Sequence, residues 1–135
     1  MNEVSLVSHL MTTNIETIQP DLTLKSLGQL LSTRHFRHLP VLEDGELIGI
    51  ISRTDYDKVM VGLQLAHRSE TDIDDILKTT PVAKVMTKDV QTVTPSTTTE
   101  EVMKIFREVS FHALPVMDGG KLVGIISHHD VFYYV

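Results

Sequence analysis

The chain has 135 residues and 15.2 kDa, with 41% hydrophobic and 22% charged residues, enough apolar content to fold around a core and to exclude a disordered chain. Cysteine is absent, which excludes disulfides, thiolate metal sites and cysteine nucleophiles. Twelve Lys and Arg against 18 Asp and Glu leave a net charge of −6, which disfavours nucleic acid as a partner because such binders present a basic face.

In chain order, the opening MNEVSLVSHL has neither the basic flank nor the apolar stretch of a secretory leader. No later apolar run reaches the roughly 18 residues that span a bilayer. A soluble, cytoplasmic protein with no membrane partner is expected. Ile15, Glu16, Thr17 and Ile18 alternate and stop at Pro20, the pattern of a short strand. Leu24, Leu27, Leu30 and Leu31 follow at helical spacing. Residues 39–42 and 47–51 are apolar runs around Glu43-Asp44-Gly45-Glu46, a hairpin signal through Asp-Gly. Tyr56, Val59, Met60 and Leu63 mark a second amphipathic helix. Residues 69–80 are polar and acidic, with Ile73, Ile76 and Leu77 allowing one short helical turn.

The order then begins again. Leu39-Pro40-Val41 recurs as Leu114-Pro115-Val116, and Gly49-Ile50-Ile51-Ser52 as Gly124-Ile125-Ile126-Ser127, at a constant offset of 75 residues. The same register carries Met11-Thr12 onto Met86-Thr87, Pro20 onto Pro95, Phe36 onto Phe111, Gly45 onto Gly120 and Asp55 onto Asp130. Thr98 followed by Glu101 has the spacing of a helix cap ahead of Val102, Phe106 and Val109. The chain is a tandem duplication. The expected fold is α/β (α+β): two β-α-β-β-α repeats, residues 1–68 and 81–135, joined by an acidic linker, 69–80. Each repeat is too small to bury much surface alone, so the two are expected to share one core with pseudo-two-fold symmetry.

Chemistry concentrates where the second hairpin strand meets the following helix. Ser52-Arg53-Thr54-Asp55 and Ser127-His128-His129-Asp130 have capping-box spacing, which local stability alone would explain. The same groups can also hold a ligand. A hydroxyl at a helix N-terminus sits beside backbone N–H groups that favour phosphate, and a carboxylate accepts hydrogen bonds from a diol. Arg34, His35, Arg37 and His38 form a basic cluster in this acidic chain; its plain reading is a set of cations at a helix end. Seven histidines raise a metal site, with His112, His128, His129 and Asp130 as candidates, but adjacent His128 and His129 point apart on a helix and zinc needs three or four convergent ligands. No nucleophile-elbow, phosphate-loop or His-Glu-x-x-His motif is present, so no enzyme activity is expected.

The unit Met-Thr…Pro…Leu-Pro-Val…Gly…Gly-Ile-Ile-Ser-x-x-Asp resembles the CBS domain, and two in tandem resemble a CBS pair, or Bateman module. The resemblance implies a regulatory module binding an adenosyl ligand (AMP, ADP, ATP or an S-adenosylmethionine-like compound) in clefts between the repeats, with no obligatory cofactor. It places the base near Thr12, Ile15, Thr87 and Val90. Arg37, His38, Pro40, His112 and Pro115 line the strand side, with phosphate on Arg37 and His38. Ser52, Thr54, Asp55, Ser127, His129 and Asp130 occupy the junctions, with the ribose on the two aspartates. In the second copy, His112-Ala113 replaces Arg37-His38, so one cation is missing. The resemblance also implies a homodimer through the helices after Asp55 and Asp130. Val59, Met60 and Leu63 lie on the first of these and Val131, Phe132, Tyr133, Tyr134 and Val135 on the second, which is too short to be stable alone. It leaves room for an unidentified effector protein. The alternatives from the residues themselves are a ligand-free dimerisation or docking scaffold and, more remotely, a metal sensor.

Overall fold

A computed structural model describes residues 5–66, 69–109 and 112–132. The expectations for Phe111, Tyr133, Tyr134 and Val135 lie outside these residues. Ten elements follow in order: α1 (Val7–Leu10), α2 (Leu24–Thr33), β1 (His38–Glu43), β2 (Glu46–Ser52), α3 (Arg53–Leu65), α4 (Glu70–Thr79), α5 (Thr99–Glu108), β3 (Ala113–Asp118), β4 (Lys121–Ser127) and α6 (His128–Phe132). A 3-10 turn at Val82–Lys84 precedes α5.

The hairpins form as their turn chemistry predicts. Asp44 and Gly45 have φ of 51° and 82°, and Gly119 and Gly120 have 58° and 83°. Positive φ at both central residues gives the turn the twist that antiparallel strands need. β1 pairs with β2 and β3 with β4 in matching registers, His38 opposite Ser52 and Ala113 opposite Ser127. Each ladder is interrupted by an irregularity at the same place, Val41/Leu42 and Val116/Met117. The expected leading strands contract to one parallel bridge each, Ile18 with Val41 and Val93 with Val116. Pro20 and Pro95 follow at once, and a residue without an N–H cannot extend the ladder.

Three helical segments exceed what the spacing suggested. The acidic stretch expected to hold one short turn is the ten-residue α4, capped by Ser69, whose side chain accepts from the Asp72 N–H. Its Ile73 and Leu77 pack on the neighbouring core. α1, and its repeat equivalent the 3-10 turn, are too short to produce a readable period.

The chain divides into two compact units, Glu16–Asp89 and Met1–Ile15 with Val90–Val135. These spatial units cut across the sequence repeats, because each repeat lends its leading segment to the other. The Val82 N–H donates to the Leu22 carbonyl at 2.8 Å, and the equivalent Val7 N–H donates to Thr97 at 2.8 Å. Ala83 to Pro20 and Ser8 to Pro95 repeat the exchange, both at 3.0 Å. Buried apolar residues among those described fall into two clusters, one in each unit. One contains Leu24, Leu27, Leu39, Val41, Ile51 and Val82; the other contains Val7, Val102, Phe106, Leu114, Val116 and Ile126. Val82 and Val7, both fully buried, carry the exchanged segments into these clusters.

Candidate functional site

Strand register builds one candidate site in each unit. In the Glu16–Asp89 unit, β2 is flanked on one side by β1 and on the other by Thr87. The Ile50 N–H donates to the Thr87 carbonyl at 3.0 Å and the Thr87 N–H returns a bond to Ile50 at 2.9 Å. His38 lies directly opposite Ser52, and the Arg53 N–H donates to the Arg37 carbonyl at 2.9 Å. Arg37, His38, Ser52, Asp55 and Thr87 are therefore gathered around one end of β2, although Thr87 comes from the other repeat. The second unit repeats this with Thr12 bonded to Ile125 at 2.8 and 3.0 Å, Ala113 opposite Ser127, and the His128 N–H on the His112 carbonyl at 2.8 Å.

Close approach of Thr87 and Thr12 explains the repeated glycine. A Cβ at Gly49 would lie 2.5 Å from Met86 Sδ and 3.0 Å from the Thr87 carbonyl; at Gly124 it would lie 2.8 Å from Met11 Sδ and 2.9 Å from the Thr12 carbonyl. Only a residue without a side chain admits the flanking segment to the edge of the strand.

At both junctions the capping box is made. The Asp55 N–H donates to Ser52 Oγ at 3.0 Å, and the Ser52 N–H donates to Asp55 Oδ2 at 2.9 Å. In the second unit the matching distances are 3.2 and 2.8 Å. Each aspartate thus commits one oxygen to its helix, while Oδ1 takes no hydrogen bond among the described residues. Asp55 and Asp130 are partly exposed, so that oxygen can meet a donor from solution.

The other candidates divide by exposure. Arg37 is exposed, and its guanidinium has no partner among the described residues. His38 is half-buried and makes an interaction of its own. Thr54, His112 and His129 are exposed; Thr12 is exposed and Thr87 half-buried. Ile15 and Val90 are half-buried residues next to the chain's passage between units and join none of the bridges. Pro40 and Pro115 are buried strand residues whose carbonyls accept from the Ile18 and Val93 N–H groups, each at 3.0 Å. Among the described residues no three His, Asp or Glu side chains gather as metal ligands. No helix among them is long and apolar enough to cross a membrane.

Arg53 has a role that no local spacing marks. Its Nη2 donates to the carbonyls of Leu31 at 2.7 Å and Arg34 at 3.0 Å, with Phe36 at 3.4 Å. At the corresponding place in the second unit, His128 stacks on Phe132 with ring centroids 4.3 Å apart, and Phe106 and His112 lie 5.7 and 6.3 Å away. At the equivalent places, then, the first unit carries Arg37 and Arg53 and the second His112 and His128. An open groove of about 660 Å³ in the Glu16–Asp89 unit, lined by Glu16, Ile18, Asp21, Leu22, Gln29 and Leu30 among others, includes none of the candidate residues.

A family model described as the CBS domain matches residues 7–62 and 82–135. The chain is 38% identical over 128 residues to an uncharacterised protein of Methanocaldococcus jannaschii, covering 93% of this chain and 42% of that one, so it spans less than half of that relative. It is 31% identical to a 17.7 kDa protein of Acidianus ambivalens, covering 93% and 70%. Among solved structures, CBSX2 in complex with AMP superposes with a TM-score of 0.75 at 27% identity, covering 96% of this chain and 94% of that one.

Proposed function

The chain belongs to the CBS-domain family and carries the domain twice, and from that premise we propose that it is a non-catalytic regulatory module whose two sites bind adenosyl ligands, AMP foremost. The observation that carries this reading is the convergence, in each unit, of a capped Ser-x-x-Asp junction with a flanking Thr and the segment leading into the hairpin. The residues fit the ligand's parts. Oδ1 of Asp55 and of Asp130 is placed to accept from a ribose diol. Arg37 offers an exposed fork of donors suited to phosphate. The backbone beside Thr87 and Thr12 forms a sheet edge against which a flat base can lie. The solved AMP complex of CBSX2 supports the choice of nucleotide.

The test is a thermal-shift panel of AMP, ADP, ATP, S-adenosylmethionine and adenosine. A ligand at 100 times its Kd stabilises the folded chain by about 2.7 kcal/mol, and a rise with AMP is the expected result. No shift with any adenosyl compound at millimolar concentration would leave the second reading, a ligand-free scaffold. That reading draws on the capping boxes, which are complete without a ligand, and on the exposed apolar residues of α3, Val61 at 52% and Leu65 at 73%. In either reading we propose a cytoplasmic homodimer through α3 and α6, because Val59, Met60 and Leu63 pack inward while Val61 and Leu65 stand in solvent. In the ligand-binding reading, an effector protein would receive the ligand's signal. Light scattering at micromolar concentration is expected to give twice the 15.2 kDa chain mass, and a monomer would refute the dimer alone.

A further inference from the structure

We propose that Arg53 is a positioning residue: it fastens the basic segment ahead of β1 and thereby makes the site of the Glu16–Asp89 unit selective for phosphorylated over unphosphorylated ligand. The proposal rests on the ligand reading above and adds the residue that decides specificity. Residues 34–37 have no regular secondary structure, yet they carry Arg37, whose exposed guanidinium is held only through its backbone. Within this segment the carbonyls of Arg34 and Phe36 converge on Arg53 Nη2, the Leu31 carbonyl from the last turn of α2 joins them, and the Arg37 carbonyl takes the Arg53 N–H. One residue therefore ties down both ends of the loop.

The residue type argues for this role. Arg53 is the first residue of α3, where the helix dipole disfavours a cation. Its guanidinium turns instead to the C-terminal end of α2, where exposed carbonyls favour one. All three carbonyls meet one nitrogen, Nη2, so the stem of Arg53 carries a charged donor from the first turn of α3 across to the end of α2. In the other unit only the backbone half of the arrangement remains. The His128 N–H bonds the His112 carbonyl at 2.8 Å, while the His128 ring stacks on Phe132. A loop fixed in advance spares the ligand the cost of ordering it, so phosphate discrimination is concentrated in the unit that has Arg53.

Calorimetry on the full chain carrying Asp130→Ala, which leaves the Arg53 site to report, tests the proposal with AMP and adenosine as paired probes. Arg53→Gln is expected to weaken AMP about tenfold while adenosine stays within about twofold, and Arg53→Lys to fall between. Equal losses for the two ligands, or an unchanged ratio, would overturn the positioning role while leaving the ligand reading intact. Binding of neither probe by the Asp130→Ala chain would remove both. Hydrogen exchange in Arg53→Lys gives a readout independent of ligand. Faster exchange confined to residues 34–38 is expected, and unchanged protection there overturns the proposal.

Discussion

At the scale of the residue, Asp55 and Asp130 serve two purposes with two oxygens. Oδ2 completes the helix cap, and Oδ1 takes no hydrogen bond among the described residues. Asp55→Ala is therefore expected to lower both stability and affinity. Loss of the cap costs about 1 kcal/mol, read as a fall of about 3–5 °C in Tm without ligand. Loss of the ribose bond costs roughly a further 1–3 kcal/mol of adenosyl binding, read by calorimetry. A chain that loses stability but binds as before would reduce Asp55 to a cap. Arg37 separates the parts of the ligand: Arg37→Ala is expected to weaken AMP and spare adenosine, and equal losses would show that it does not touch phosphate. The capping-box spacing was legible in the sequence because it is local. Arg53 was not, because the carbonyls it holds lie 17 to 22 residues away.

At the scale of the element, β2 and β4 work because a glycine opens one edge. Gly49→Ala drives a Cβ into Met86 Sδ and the Thr87 carbonyl, and overpacking of this kind costs roughly 1–3 kcal/mol. Chemical denaturation is expected to register that loss, and AMP binding to weaken with it because Thr87 is displaced. Gly124→Ala repeats the effect at Thr12. Elsewhere Asp74 on α4 joins Lys25 of α2 at 2.7 Å and Lys78 one turn along α4 at 2.8 Å. The hydrogen bonds from Lys25 and Lys78 hold its carboxyl below the ordinary carboxylate range, and Asp74 in turn raises Lys78. A depressed carboxyl stabilises the fold above its unfolded pKa and loses that contribution as pH falls through the folded one, so the loss comes below about pH 4. Lys78 contributes below its unfolded value and loses its share as pH rises through the raised one. Asp74→Asn is expected to destabilise slightly at pH 6, with Tm curves converging on wild type towards pH 2. Curves that stay parallel would show that the pair does no work.

At the scale of the whole molecule, the reciprocal exchange of leading segments makes two units from two repeats without assigning one to each. The buried cluster built on Leu27, Leu39 and Ile51 lies entirely within Glu16–Asp89, Val82 included. A fragment of residues 16–89 is therefore expected to fold cooperatively in thermal denaturation. A fragment of residues 1–68 lacks Leu77, Val82 and the Thr87 edge, and is expected to melt without a transition. A cooperative transition in the shorter fragment alone would refute this account of where the core is completed.

The sequence by itself determined the duplication, the hairpins, the helix caps and the family, because each is written in short spacings: an offset held across Gly, Pro and Asp, an Asp-Gly turn, a Ser three residues before an Asp. It also marked α2 and α5 through apolar periodicity. The tertiary structure alone decided that Thr87 completes the sheet of the first repeat and Thr12 that of the second, that α4 is a full helix packed on α2, and that the leading strands shrink to single bridges. Those outcomes depend on which groups meet between segments 23 or more residues apart. Hydrogen-bonding groups on a backbone carry no residue-specific label, so a pairing between distant segments leaves only the glycine that makes room for it as a trace in the sequence.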